Sequence, residues 1–224
     1  MIRSNILTLV TILLLPVAAI GEEHRIEKLD EAVPAGSVSG QIAPLLQETG
    51  ITIYRGETRK ICDIWLLKQW DVAKPAALTR GILYPFTPGQ LIGVIRYARR
   101  GSDFRDQDIE SGVYTIRYGQ QPVNGDHVGT SPTRDFLLLL NSDTDQSKQV
   151  LKYEQLAEES AVAAQSSHPA ILCMTRAKAE GKSPSIKENT EHEWQILRLQ
   201  GKIATAEKSQ AQAIELVIVG QAVE

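Results

Sequence analysis

From Gly50 onward the apolar residues of this chain come in runs of strand length, each closed by Gly, Pro, Asn or Asp. The longest of them, residues 136–140 and 214–219, suit a strand rather than a bilayer-crossing helix. Residues 51–55 read as a first strand, with a turn at Gly56 and Glu57. Residues 61–67 are apolar on both faces apart from Asp63, the pattern of a strand covered on both sides. Further strands are expected at 91–98, 112–119, 134–140, 194–199 and 214–219. Within 112–119, Tyr114, Ile116 and Tyr118 share one face and Thr115 and Arg117 the other. Residues 73–89 hold Pro75, Pro85 and Pro88 and read as a crossing loop.

One helix interrupts the pattern. Near 151–167, Tyr153, Leu156, Ala157, Ala161 and Ala164 fall on one face in a segment rich in helix formers, and His168-Pro169 ends it. Asp145 or Ser147 is its expected cap. A weaker helical stretch covers 204–212. Without a βαβ rhythm, the expectation is a mainly β fold, an antiparallel β-sandwich with one inserted α-helix. The run Glu110-Ser111-Gly112-Val113-Tyr114 has the form of a tyrosine corner, which makes the expected sandwich immunoglobulin-like. Ile116 stands where an antibody-type cysteine would be.

The amino terminus is set apart. Arg3 gives a positive start, residues 6–20 are apolar apart from Thr8 and Thr11, and Ala19 and Gly21 place small residues before Glu22. This is the form of a secretory signal peptide, expected to be cleaved after Gly21. The apolar run is shorter than the roughly 20 residues a spanning helix needs, and Pro16 shortens it further. The expected organisation is therefore residues 1–21 as signal, 22–49 as a polar lead-in and 50–224 as a single β-sandwich domain. A secreted or periplasmic product follows, with no transmembrane span after cleavage.

The formal charge of −3, with both signs interspersed, argues against nucleic acid as a partner. At 42% hydrophobic and 23% charged, the chain has the make-up of an ordinary globular domain. Its two cysteines, Cys62 and Cys173, could pair in an oxidising compartment, where closing a loop of about 100 residues would contribute ~4–5 kcal/mol. Two separate buried thiols are the alternative. Neither belongs to a C-x-x-C pair, so no cofactor or metal is expected from them.

The densest chemistry lies between two expected strands, where Asp126, His127, Arg134 and Asp135 crowd into one loop. The chain here is similar to a family of uncharacterised exported bacterial β-rich proteins. Its motifs are G-x-Y-T-[LI]-R-Y, matched at 112–118; Q-P-x-x-G-D-H-x-G, matched at 121–129; and [SA]-P-x-R-D-F-L-L-L, matched at 131–139. The similarity runs from Trp65 to residues 214–220. It implies a secreted β-rich fold and brings no activity with it.

Asp126 and His127 could serve as an acid/base or ligand pair, with Arg134 holding an anion and His168 or His192 completing the set. Adjacent residues on an extended chain face opposite ways, however, and Asn124-Gly125-Asp126 also reads as a plain turn. Residues 141–145 begin like a calcium loop, but Gln146 and Lys152 stand where Gly and Glu are required. Arg96, Arg99, Arg100 and Arg105 sit among Asp103, Asp106 and Asp108, as in a solvated loop with ion pairs. Trp65, Trp70 and Trp194 could line a sugar-binding face, but core packing is the expectation. No known catalytic motif is present.

The expected function is a non-catalytic extracytoplasmic module that binds a protein or small ligand. The alternatives are a metal-dependent or hydrolytic enzyme centred on Asp126, His127 and Asp135, and a structural component of the cell envelope.

Overall fold

The computed structural model describes residues 23–72, 78–121, 133–206 and 208–222. Residues 1–21, the expected signal segment, thus lie outside the described residues. The strands are β1 (His24–Leu29), β2 (Gly50–Arg55), β3 (Arg59–Leu66), β4 (Trp70–Asp71) and β5 (Leu91–Tyr97). A small hairpin follows, β6 (Gly101–Ser102) and β7 (Asp108–Ile109), then β8 (Gly112–Gln120) and β9 (Asp135–Asn141). Helix α1 (Tyr153–Ala163) precedes β10 (Ile171–Thr175), β11 (Ser185–Asn189), β12 (Trp194–Ala204) and β13 (Ser209–Val219).

The mainly β, antiparallel class with one inserted helix is the class observed. Apart from the separate β6–β7 hairpin, its strands join in one curled sheet, ordered β1-β2-β3-β5-β8-β9-β10-β13-β12-β11, with β4 set parallel to β12. The curl is made at β10. Ile171, Leu172 and Cys173 pair with β9, whereas Met174 and Thr175 pair with β13. One strand therefore belongs to both halves, and the halves face each other across a shared core. The tyrosine corner is present as a bond, since the Tyr114 hydroxyl donates to the Glu110 carbonyl at 3.0 Å. It fixes the entry to β8 within the meander β3-β5-β8-β9-β10, and the one departure from sequential order is the crossover that sets β13 beside β10.

Pairing register decides which side chains enter the core. Cys62 lies opposite Tyr97, Ile64 opposite Ile95, Ile116 opposite Leu139, and Tyr118 opposite Leu137. All eight are buried in the main cluster between the two halves. The other face of the same strands carries Phe136, Leu138, Leu140, Ile171 and Cys173, which pack outside the curl with Leu156 of α1. As expected, β3 is covered on both sides. Residues 31–46 lie over its outer face, where the Trp65 indole donates to the Glu31 carbonyl at 2.8 Å.

Several expectations are corrected here. The lead-in supplies β1, an edge strand whose alternation is too polar to read, and a cover for Trp65. Residues 209–212 belong to β13, because pairing with β12 overrides their helical propensity. Asp145 does not cap α1, whose N-cap is Lys152, and is instead buried against Arg117. The two cysteines are not bridged. Cys62 points into the core while Cys173 points out against the helix side, with β5, β8 and β9 between their strands. Burial pushes the Cys62 thiol well above its ordinary range, with the neighbouring Asp63 charge adding to the effect. It behaves as a small apolar side chain.

The outer face also holds ionic clusters under cover. Asp63, fully buried, accepts from Thr52 at 2.6 Å and from Arg96 Nε at 2.8 Å, with Lys60 3.0 Å away. Burial works against its ionised form, but the bonds from Thr52, Arg96 and Lys60 outweigh that and hold its pKa below the ordinary value.

Candidate functional site

Asp126 and His127 lie outside the described residues. Arg134 and Asp135 are described, and they part company. The Arg134 Nε donates to the Gln121 carbonyl at 3.0 Å on the surface side. Asp135 turns inward and is fully buried. Its Oδ2 accepts from the Leu83 amide at 2.9 Å, and its Oδ1 accepts from the Tyr84 amide at 3.3 Å and from the Tyr118 hydroxyl. Both oxygens are thus engaged in fastening residues 83–84 to β9. That is a structural task.

The segment so fastened closes one end of the curl. Phe86 sits between Trp70 and Tyr118, edge-on to each, with ring centroids 5.1 and 5.5 Å away. The Tyr84 hydroxyl donates to the Thr175 carbonyl and accepts from the Glu215 amide, tying this plug to β10 and β13. Trp65, Trp70 and Trp194 are all buried, which removes them as a sugar-binding face.

Asp135 also gives the site a pH signature. Burial raises its pKa above the ordinary carboxylate value, and the bonds from Tyr118, Leu83 and Tyr84 only partly offset this. The native state therefore holds this proton to higher pH than the unfolded chain does. Stability falls as pH rises from the unfolded value, about 4, towards the raised native one, and stays lowered above it. Asp63 has the opposite sign, contributing stability above its unfolded pKa that is lost as pH falls through its lowered native one. The urea midpoint of Asp135→Asn, measured against wild type from pH 4 to 7, should show a difference that changes with pH. A flat difference would overturn the assignment.

His168 is exposed beyond α1, and His192 lies against Trp194, ring centroids 4.5 Å apart. Among the described residues no three His, Cys, Asp or Glu side chains converge as ligands. No helix among them is long and apolar enough to cross a membrane.

A large concavity lies elsewhere, at a gap in the wall. Strand β11 pairs with β12 from Asn189–Trp194 to Ser185–Arg198, and β4 takes up the pairing only at Ile203. Residues 199–202 of β12 thus have neither strand alongside. Through this gap opens a cleft of about 1070 Å³ bounded by β1, β2 and β3 on one side and by β12 and β13 on the other. Its apolar lining is Ile51, Ile64, Leu66 and Leu199, and its charged lining is Lys28, Lys68 and Lys202. Among the described residues no carboxylate lines it. Asp30 lies against Lys28, and Glu48 lies 3.9 Å from Lys68, both well exposed.

No sequence motif singles out these residues as ligands. They come from two hairpins far apart in the chain, so no local pattern exists to find. One signal is present, Gly201 within a strand pattern, which marks a close approach. A Cβ there would lie 2.4 Å from the Trp70 ring.

No family model, curated protein or solved structure matches the chain.

Proposed function

We propose that this chain is an exported, non-catalytic binding protein whose ligand is an amphipathic anion seated in the wall gap. The observation that carries the reading is the lining of the cleft, an apolar floor with three lysines, of which Lys28 and Lys68 meet only well-exposed carboxylates outside the lining. An alkyl body would cover Ile51, Ile64, Leu66 and Leu199 and gain free energy at roughly 25 cal/mol per Å² removed from water. A carboxylate head would meet the ammonium groups of Lys28, Lys68 and Lys202. The volume is at the upper end of the range usual for small-molecule sites, roughly 300–1000 Å³. Export rests on residues 1–21, and the resemblance to exported β-rich proteins supports the same compartment. The hydrolytic alternative loses one of its three named groups, since Asp135 is buried in a structural task.

Calorimetric titration of the protein starting at Glu22 with dodecanoate, and with dodecanol as the neutral counterpart, tests the proposal. Dodecanoate should bind, and Lys28→Gln, Lys68→Gln and Lys202→Gln together should weaken it about tenfold or more, with dodecanol little affected. No binding, or binding indifferent to the three lysines, would refute it.

A further inference from the structure

The opposite ends of β1, β2 and β3 border a second, smaller cleft of about 260 Å³ with a different chemistry. Two turns build it. The β2–β3 hairpin brings Arg55, Arg59 and Lys60, and the turn after β5 brings Arg99 and Arg100, with His24 at the start of β1. Asp108 is the one carboxylate in the lining. In a chain whose formal charge is −3, this concentration of positive charge is local and not a reflection of composition.

The neighbouring acids engage part of it. Arg100 is held by Asp108 at 3.3 Å and Glu110 at 3.1 Å, and Lys60 by Asp63. The side chains of Arg59 and Arg99 have no ion pair or hydrogen bond among the described residues. Beside them lies a second, independent sign. Tyr97 lines the same cleft, is 3% exposed, and its buried hydroxyl has no hydrogen-bond partner among the described residues. A buried hydroxyl without a partner is uncommon in a native protein and points to a ligand or its bridging water. The Tyr97 ring is held in place by Tyr114, edge-on at 6.1 Å, and by the bare face of Gly101, where a Cβ would come within 2.6 Å of the ring.

We propose that this cleft binds a phosphate-type oxyanion, gripped by Arg59 and Arg99 and reached from within by the Tyr97 hydroxyl directly or through one water. Guanidinium groups match phosphate oxygens in bidentate geometry, which a lysine cluster does not. The volume accommodates a phosphate group and leaves the rest of any larger molecule outside the cleft. The anion is therefore either free phosphate or the monoester headgroup of an acidic lipid offered from a surface. The site is separate from the wall gap and does not depend on what that gap binds.

The test uses the protein starting at Glu22 in buffers matched for ionic strength with chloride. Inorganic phosphate should raise its thermal midpoint, and Arg59→Gln with Arg99→Gln should weaken the response about tenfold, as loss of two charge-assisted partners requires. Both arginines are surface residues, so folding of that variant is not in question. Tyr97→Phe removes only the hydroxyl; it should leave the midpoint in chloride unchanged or higher while weakening phosphate. The lysine variant of the wall gap should respond like wild type. Co-sedimentation with vesicles of phosphatidic acid against phosphatidylcholine separates the two sources. Capture by phosphatidic acid alone, lost with the arginines, identifies a headgroup, whereas phosphate binding without capture identifies the free ion. A wild-type protein that responds to neither, or whose response the arginine variant retains in full, overturns the proposal.

Discussion

Asp145→Ala is expected to lower the unfolding free energy by about 3–5 kcal/mol, read as a fall in urea midpoint at unchanged slope. The size follows from what the carboxylate holds. Arg117 and Asp145 are both buried, and the guanidinium meets Asp145 through Nε at 2.6 Å and Nη2 at 2.7 Å. Its remaining N–H groups donate to the carbonyls of Gly89 at 2.7 Å, Gln149 at 2.8 Å and Ser147 at 2.5 Å. All five donors are used, and Thr115 adds a hydroxyl to the same carboxylate. Removing Asp145 strands a buried cation. Removing both charges with volume kept, as in Arg117→Met with Asp145→Leu, should be milder than Asp145→Ala alone. If the single and double variants are equally damaged, the cost lies in packing and the ionic account fails.

Trp70→Ala should lose about 3–5 kcal/mol as well, through a cavity at the plugged end. Trp70 is fully buried, meets Phe86 edge-on, and donates to the Ile92 carbonyl at 2.8 Å. The same residue explains Gly201, since any Cβ at that position strikes the indole. Gly201→Ala should therefore be harmful in the wild type and mild once Trp70 is Ala, a coupling visible in a double-mutant cycle. Additive effects would show that Gly201 is required for some other reason.

Strands with an internal pattern are legible from the amino-acid sequence alone. Tyr114, Ile116 and Tyr118 alternate cleanly, and that alternation is the core face of β8. Its opposite face is not legible in the same way. Thr115 and Arg117 look like solvent-facing residues in a one-sided sheet, yet residues 142–152 lie over them, and nothing local announces that cover. For the same reason Asp145 reads as a helix cap. Strand β1 is hidden by its composition, because an edge strand without a buried residue keeps little hydrophobic period. Residues 209–212 mislead through propensity, their Ala and Gln content favouring a helix that pairing with β12 overrules. Neither cleft has a local signature, because each is assembled by strands distant in the chain.

Strand β10 passes its pairing not to the next strand made but to the last. Met174 and Thr175 wait for Leu216 and Glu215. Until β13 exists, the short β4 is the strand of the first half that pairs with the β11–β12 hairpin, and the core lacks Ile214, Leu216 and Ile218. The fold thus has a late commitment written into its topology, and closing the second half waits for the long-range pairing of β10 with β13. A chain stopped before Ser209 would be not a shorter version of this domain but an open sheet with its interior exposed.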